Sequence, residues 1–169
     1  MPIAGADTTA VDIGACGPAG QFRDADAARV WLELRRWPSG AACPHCGNGG
    51  VKARKRIGYY RCGACGQDFT VRTGTILHRS HIPPDKWLRA ICLFAAARVA
   101  GGRGISSVRL AQEISVTQTT AWYLLNQIRA LAGEGEGGDG AEAKTVAEVV
   151  AHLIARALGE CRDRRDVTV

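Results

Sequence analysis

Apolar positions along the chain fall into stretches of helical period, broken by short runs rich in glycine and proline. Residues 24–37 place Ala27, Val30, Trp31, Leu34 and Trp37 on the 3.6-residue spacing of one helical face. Asp24 is placed to cap the start of this helix, and Pro38-Ser39-Gly40 to end it. A second stripe, Trp87, Leu88, Ile91, Cys92, Ala95 and Val99, follows Pro83-Pro84 and stops at Gly101-Gly102-Arg103-Gly104. Two shorter helices are predicted at about 106–113 and 117–131, and a last one at about 142–158 with Val146, Val149, Val150, Leu153, Ile154, Ala157 and Leu158 on one face. Between the first two helices the period changes. Val51 to Ile57, Tyr59 to Arg61 and Gln67 to Val71 read as three strands, the first two turning about Gly58.

The pattern defines an α+β protein, mainly α: a small three-stranded ribbon packed with helices, then a helix-turn-helix, then a separate C-terminal helix. The segments expected are an arm at 1–22, the first helix and ribbon at 23–82, a helical region at 83–131, a glycine-rich acidic linker at 132–141, and an amphipathic helix with a charged tail at 142–169. The C-terminal helix has two fates open to it: homodimerisation, or docking within its own chain.

Cysteine spacing adds chemistry to this frame. Cys43, Cys46, Cys62 and Cys65 follow C-x2-C-x15-C-x2-C. Each close pair can set two sulfurs on one side of a tight turn, and two such knuckles offer four thiolates to one tetrahedral Zn²⁺. All four positions are then filled by protein, so one structural ion is expected and no catalytic one. His45, inside the first knuckle, is surplus to that set. Cys16, Cys92 and Cys161 lack metal spacing, and Cys92, on an apolar stripe, reads as an inert core thiol. An odd cysteine count without a signal peptide argues for thiolate ligands over a disulfide framework.

Charge is concentrated in the middle of the chain. The whole sequence carries +6, but residues 29–131 hold 16 Lys/Arg against 4 Asp/Glu, a net of +12. A basic block of this kind points to a polyanion, here double-stranded DNA. On the ribbon, Lys52, Arg54 and Arg56 alternate and are read as a phosphate-facing stripe, with a solvated strand face weighed equally against it. In the run 105–131, Leu110, Ile114, Val116, Ala121 and Leu124 are apolar where two crossing helices must pack, Ala111 is small, and Thr117 caps the second helix. That geometry turns Gln118, Thr119, Trp122, Tyr123 and Asn126 outward for base contacts in the major groove. Arg103 and Arg109 are phosphate candidates, with Lys86, Arg89 and Arg129 beside them. No apolar stretch is long enough to span a membrane, no small-molecule substrate is indicated, and the expected location is cytoplasmic, on the nucleoid.

The order Phe22-Arg23-Asp24, Trp31-Leu32-Glu33, Arg36-Trp37-Pro38, Cys43-Pro44-His45-Cys46-Gly47, Tyr60-Arg61-Cys62, Cys65 and then 69–83 with Lys86-Trp87 resembles the N-terminal DNA-binding part of zinc-ribbon insertion-sequence transposases of the DDE type. The helix-turn-helix containing Thr119-Thr120-Ala121-Trp122 is similar to theirs. The resemblance spans about residues 22–131. It implies binding to transposon terminal repeats, with cleavage and strand transfer performed by a separate RNase-H-like domain that holds Mg²⁺ on three carboxylates. Where that domain would open with Val-Asp-Glu, this chain has Glu136-Gly137-Gly138-Asp139-Gly140, and 38 residues follow position 131. The expectation is a transposase-derived DNA-binding protein without the catalytic domain, hence no enzyme. The alternative is a zinc-ribbon module for protein interaction or transcriptional regulation.

Overall fold

A computed structural model describes residues 24–100, 104–132 and 153–154. The elements run α1 (Ala25–Arg36), β1 (Val51–Ala53), β2 (Tyr60–Cys62), β3 (Asp68–Phe69), α2 (Pro84–Val99), α3 (Ser107–Ile114) and α4 (Gln118–Ala132). The architecture is α+β and mainly helical, with the small antiparallel sheet β1-β2-β3 set against helices.

Helix α1 begins where the sequence places it. The Asp24 carboxylate accepts from the Ala27 amide at 2.8 Å, which satisfies one of the unpaired donors of the first turn. Its buried face is rotated from the predicted one. Ala28 and Leu32 are buried, while Val30 and Leu34 are 44% and 65% exposed. The reason lies in Arg29 and Glu33, which pair at 2.8 Å with both side chains largely covered. Their contact commits that flank of α1 to the protein and turns Val30 and Leu34 away from it. Trp31 packs on the main helical core and not on the ribbon; Trp37 does reach the ribbon.

Helix α2 is the centre of the helical part and touches α1, α3 and α4. Trp87, Leu88, Ile91, Phe94 and Ala95 are buried on it, as is Cys92, whereas Val99 is 40% exposed. Cys92 is disulfide-bonded, not the free thiol expected, so the argument from cysteine count does not extend to it. The core continues through Leu110, Ile114, Ala121, Leu124, Leu125, Ile128 and Leu131, and it includes Leu153 and Ile154. The rest of the C-terminal helix lies outside the described residues, as do the N-terminal arm, the acidic linker and Arg103.

The strands are shorter than predicted. β1 ends at Ala53 because the Arg54 amide already donates to the Tyr59 carbonyl at 2.8 Å and the Tyr59 amide to that of Arg56 at 3.2 Å. Gly58, at φ +78°, makes the turn. Beneath the sheet a second small core holds Cys43, Cys62 and Phe69, with Trp37, Val51 and Tyr60 packed on it. Trp37 meets the rings of Tyr60 and Phe69 edge-on at 5.6 and 5.8 Å and also packs on the helical core, so it joins the two.

Between β3 and α2 the chain forms no regular element, yet it is closely tied. Arg72 donates through Nε to the Leu77 carbonyl at 3.1 Å and through Nη2 to those of Ser80 and Ile82. Arg36 donates to the Val71 carbonyl at 2.6 Å, the buried Thr75 hydroxyl to that of Arg72 at 2.7 Å, and Trp87 Nε1–H to Ser80 Oγ at 3.1 Å. These bonds satisfy a connector that has no ladder or helix to do so.

Candidate metal centre and nucleic-acid interface

The two cysteine knuckles are built alike. Cys43 N–H donates to the Asn48 carbonyl at 3.0 Å and Gly47 N–H to that of Cys43 at 2.8 Å. In the second knuckle Cys62 donates to Gln67 at 3.0 Å and Gly66 to Cys62 at 3.1 Å. Gly47 and Gly66 sit at φ +75° and +70°, the left-handed conformation that lets the chain reverse just after each pair. A glycine following the second cysteine of both pairs is thus a sequence signal for the turn itself.

This repetition brings the four sulfurs together. Cys43 Sγ lies 3.6 Å from Cys65 Sγ and Cys46 Sγ lies 3.5 Å from Cys62 Sγ. All four ligand atoms fall within 4.8 Å of one another, a cluster able to hold a metal ion. A Zn–S bond of about 2.3 Å implies tetrahedral sulfur separations of roughly 3.8 Å, so the arrangement fits that ion. The Cys65 amide reaches Cys62 Sγ at 3.5 Å. That bond, reinforced by the Ala64 amide, draws the Cys62 thiol down to about 6 against the cost of desolvation. At Cys65 the Gln67 amide favours the thiolate, but desolvation and the neighbouring thiols outweigh it and push the group up to about 12. His45 is exposed and outside the cluster.

Register separates the two faces of the sheet. Val51 opposes Cys62, Lys52 opposes Arg61, and Ala53 opposes Tyr60; Arg61 in turn opposes Asp68. Because side chains alternate, Lys52, Arg61 and Asp68 share the outer face while Cys62 and Phe69 point into the small core. Arg54 donates to Asp68 at 3.3 Å, and Arg61 lies 3.9 Å from the same carboxylate. Arg56 is in the turn, stacked over the Tyr59 ring at 4.4 Å, and does not continue the strand stripe. Arg61 faces outward beside Lys52, as the inward-pointing Cys62 next to it requires.

In the helical part, α3 and α4 are joined by Ser115, Val116 and Thr117. Ser115 is left-handed at φ +53°, and the Val116 amide returns to the Ala111 carbonyl at 3.0 Å. The Thr117 hydroxyl accepts from the Thr120 amide at 3.2 Å, the expected cap of α4. Ala121, Leu124, Leu125, Ile128 and Leu131 face the core. Gln118, Thr119, Trp122 and Tyr123 are exposed and Asn126 is half-buried, all on the opposite side of α4. Trp122 is 58% exposed; Tyr123, at 42%, meets the Trp87 ring edge-on at 6.3 Å. Arg109 projects from α3 with its side chain 72% exposed, 4.0 Å from Glu113. Lys86 and Arg89 are otherwise engaged: they donate to the carbonyls of Ser115 and Glu113, each at 2.9 Å, and so satisfy the C-terminal end of α3.

No helix among the described residues is long and apolar enough to cross a membrane. No curated protein and no solved structure matches the chain significantly. Residues 23–68, which hold α1, the cysteine cluster and most of the sheet, match the family model of a transposase zinc-ribbon domain, the kind characteristic of IS1595-family transposases.

Proposed function

We propose that the chain is a sequence-specific DNA-binding protein derived from a transposase and that it recognises transposon terminal repeats. The observation that carries this reading is the exposed face of α4. Gln118, Thr119, Trp122 and Asn126 lie on one side of the second of two helices joined by a three-residue turn. A helix so placed enters the major groove with its N-terminal residues foremost, where Gln and Asn match adenine and Thr meets a thymine methyl. Arg109, and Lys52 with Arg54 and Arg61 on the ribbon, supply exposed cations for the phosphates.

Cys43, Cys46, Cys62 and Cys65 hold one structural Zn²⁺ in this reading. Four thiolates saturate the ion, so it supplies rigidity and no reaction. Cys43 and Cys62 are each buried against Phe69, so a fixed metal would also fix the strand that carries Lys52's partner Arg61. Burial of Leu153 and Ile154 in the chain's own core supports intramolecular docking of the C-terminal helix; a homodimer would have to use the rest of its surface.

Fluorescence anisotropy with terminal-repeat and random duplexes over a salt series tests the proposal. Affinity should fall steeply as salt rises, with the repeat duplex bound more tightly throughout. A second reading, a protein-docking module, is favoured by exposed Val30, Leu34 and Ile57. It requires that duplex DNA go unbound even at low salt.

A further inference from the structure

A cleft of about 390 Å³ opens where the ribbon meets the helices. Its walls are Ala25 and Arg29 of α1, the turn Ile57–Tyr59, the connector residues Thr70–Thr73 and His78–Ser80, and Pro84 at the head of α2. Among the described residues no carboxylate lines it, whereas three guanidinium groups and an imidazole do.

These cations differ in how their charge is met. Arg29 is neutralised by Glu33 at 2.8 Å and Asp26 at 3.5 Å, and its stem lies across Gly58, where an added Cβ would stand 2.5 Å from Arg29 Cδ. It shapes the cleft and adds no net charge. Arg72 gives its Nε and Nη2 hydrogens to three carbonyls, which are dipoles and not charges. No ion pair forms on it among the described residues, and burial pulls its pKa below the ordinary arginine value. Arg79 is exposed, likewise without an ion pair among the described residues, and is held at φ +56°, a conformation costly for a side chain of its kind. His78 Nδ1 accepts from the Gly74 amide at 2.9 Å, so neutral His78 carries its proton on Nε2 and is a donor there. Desolvation, and then the charges of Arg79, His45 and Arg72, hold His78 below its usual range.

We infer that this cleft is a phosphate seat that takes one phosphodiester of a DNA backbone, with Arg72 and Arg79 as its cations and His78 as a hydrogen-bond donor. The inference rests on the DNA-binding reading and adds a contact separate from both the ribbon stripe and α4. An anion here answers two guanidinium charges that no carboxylate among the described residues meets. Its three ligands all lie on the connector between β3 and α2, so phosphate binding would brace that segment. The contact is blind to base sequence.

Anisotropy titrations with repeat and random duplexes over a salt series test the seat, comparing the full chain with Arg79→Gln and with Arg35→Gln. Arg35 stacks over Trp31 at 5.1 Å, outside the cleft, and controls for lost charge. Arg79→Gln should weaken binding several-fold, equally on repeat and random duplexes, and lower the log–log salt slope by about 1. Arg35→Gln should leave the slope in place. If Arg79→Gln misfolds by circular dichroism, Arg79→Gly relaxes the left-handed backbone and serves instead. An unchanged slope in a chain that still binds DNA overturns the seat and spares the wider reading. Failure of the unaltered chain to bind any duplex at low salt overturns both. Inorganic phosphate supplies the last arm, followed by the amide resonances of Thr73 and Gly74: competition between phosphate and duplex supports the seat. Phosphate-induced shifts without competition assign the cleft to free phosphate and overturn the phosphodiester.

Discussion

Cys62 belongs to the sulfur cluster, ends the central strand and is buried beside Phe69. Its removal therefore reaches beyond one metal bond. Cys62→Ser or Cys43→Ser should abolish stoichiometric zinc and unfold the ribbon while leaving helical circular dichroism largely intact. Metal analysis and far-UV spectra check this; full zinc retention in both variants would sink the four-thiolate site. Arg72 works in a different way, since one side chain replaces a missing ladder by holding three carbonyls of the connector. Gly104 shows a third kind of constraint. It sits at φ +98°, and a Cβ there would meet Phe94 Cε2 at 2.8 Å. Gly104→Ala should cost about 2 kcal/mol, combining backbone strain with displacement of a buried ring. Urea denaturation measures it, and a loss under half that size would show that Phe94 can move aside.

At the scale of elements, the join between α3 and α4 sets how the outward face of α4 is presented. Thr117→Ala removes a cap that accepts from the Thr120 amide at 3.2 Å, and should cost about 1 kcal/mol. Thermal denaturation would reveal that loss, and an unchanged midpoint would mean that water caps α4 equally well. Gln118, the first residue of α4, is exposed. Gln118→Ala should reduce discrimination between repeat and random duplexes by roughly 1–3 kcal/mol with little change in affinity for random DNA. Equal losses on both would remove it as a base reader. The helix boundaries were legible in the sequence because caps are local: Asp24, Pro83-Pro84 and Thr117 each announce a start. Strand lengths were not, since β1 ends where the Arg54 and Tyr59 backbones pair across a turn, a contact that periodicity does not encode.

Across the whole molecule, two cores of different character are joined through Trp37. The larger is aliphatic and includes Trp87; the smaller contains two of the four clustered cysteines and is too slight to stand on burial alone. A strong chelator should therefore melt the ribbon at a temperature where the helices persist, giving two transitions in place of one. Calorimetry with and without chelator would show it, and one chelator-insensitive transition would refute the metal's structural part. The spacing of Cys43, Cys46, Cys62 and Cys65, together with the caps and apolar periods, determined by itself that a four-thiol knuckle pair would stand beside a helical unit, because those signals lie within a turn or two of chain. Only the tertiary structure decided which flank of α1 is buried, that Lys86 and Arg89 serve the end of α3, that Leu153 and Ile154 enter the common core, and that Arg72, His78 and Arg79 share a cleft with α1. Each of these depends on which distant side chain or carbonyl comes to lie opposite, and that is fixed by packing in three dimensions and not by the period of the sequence.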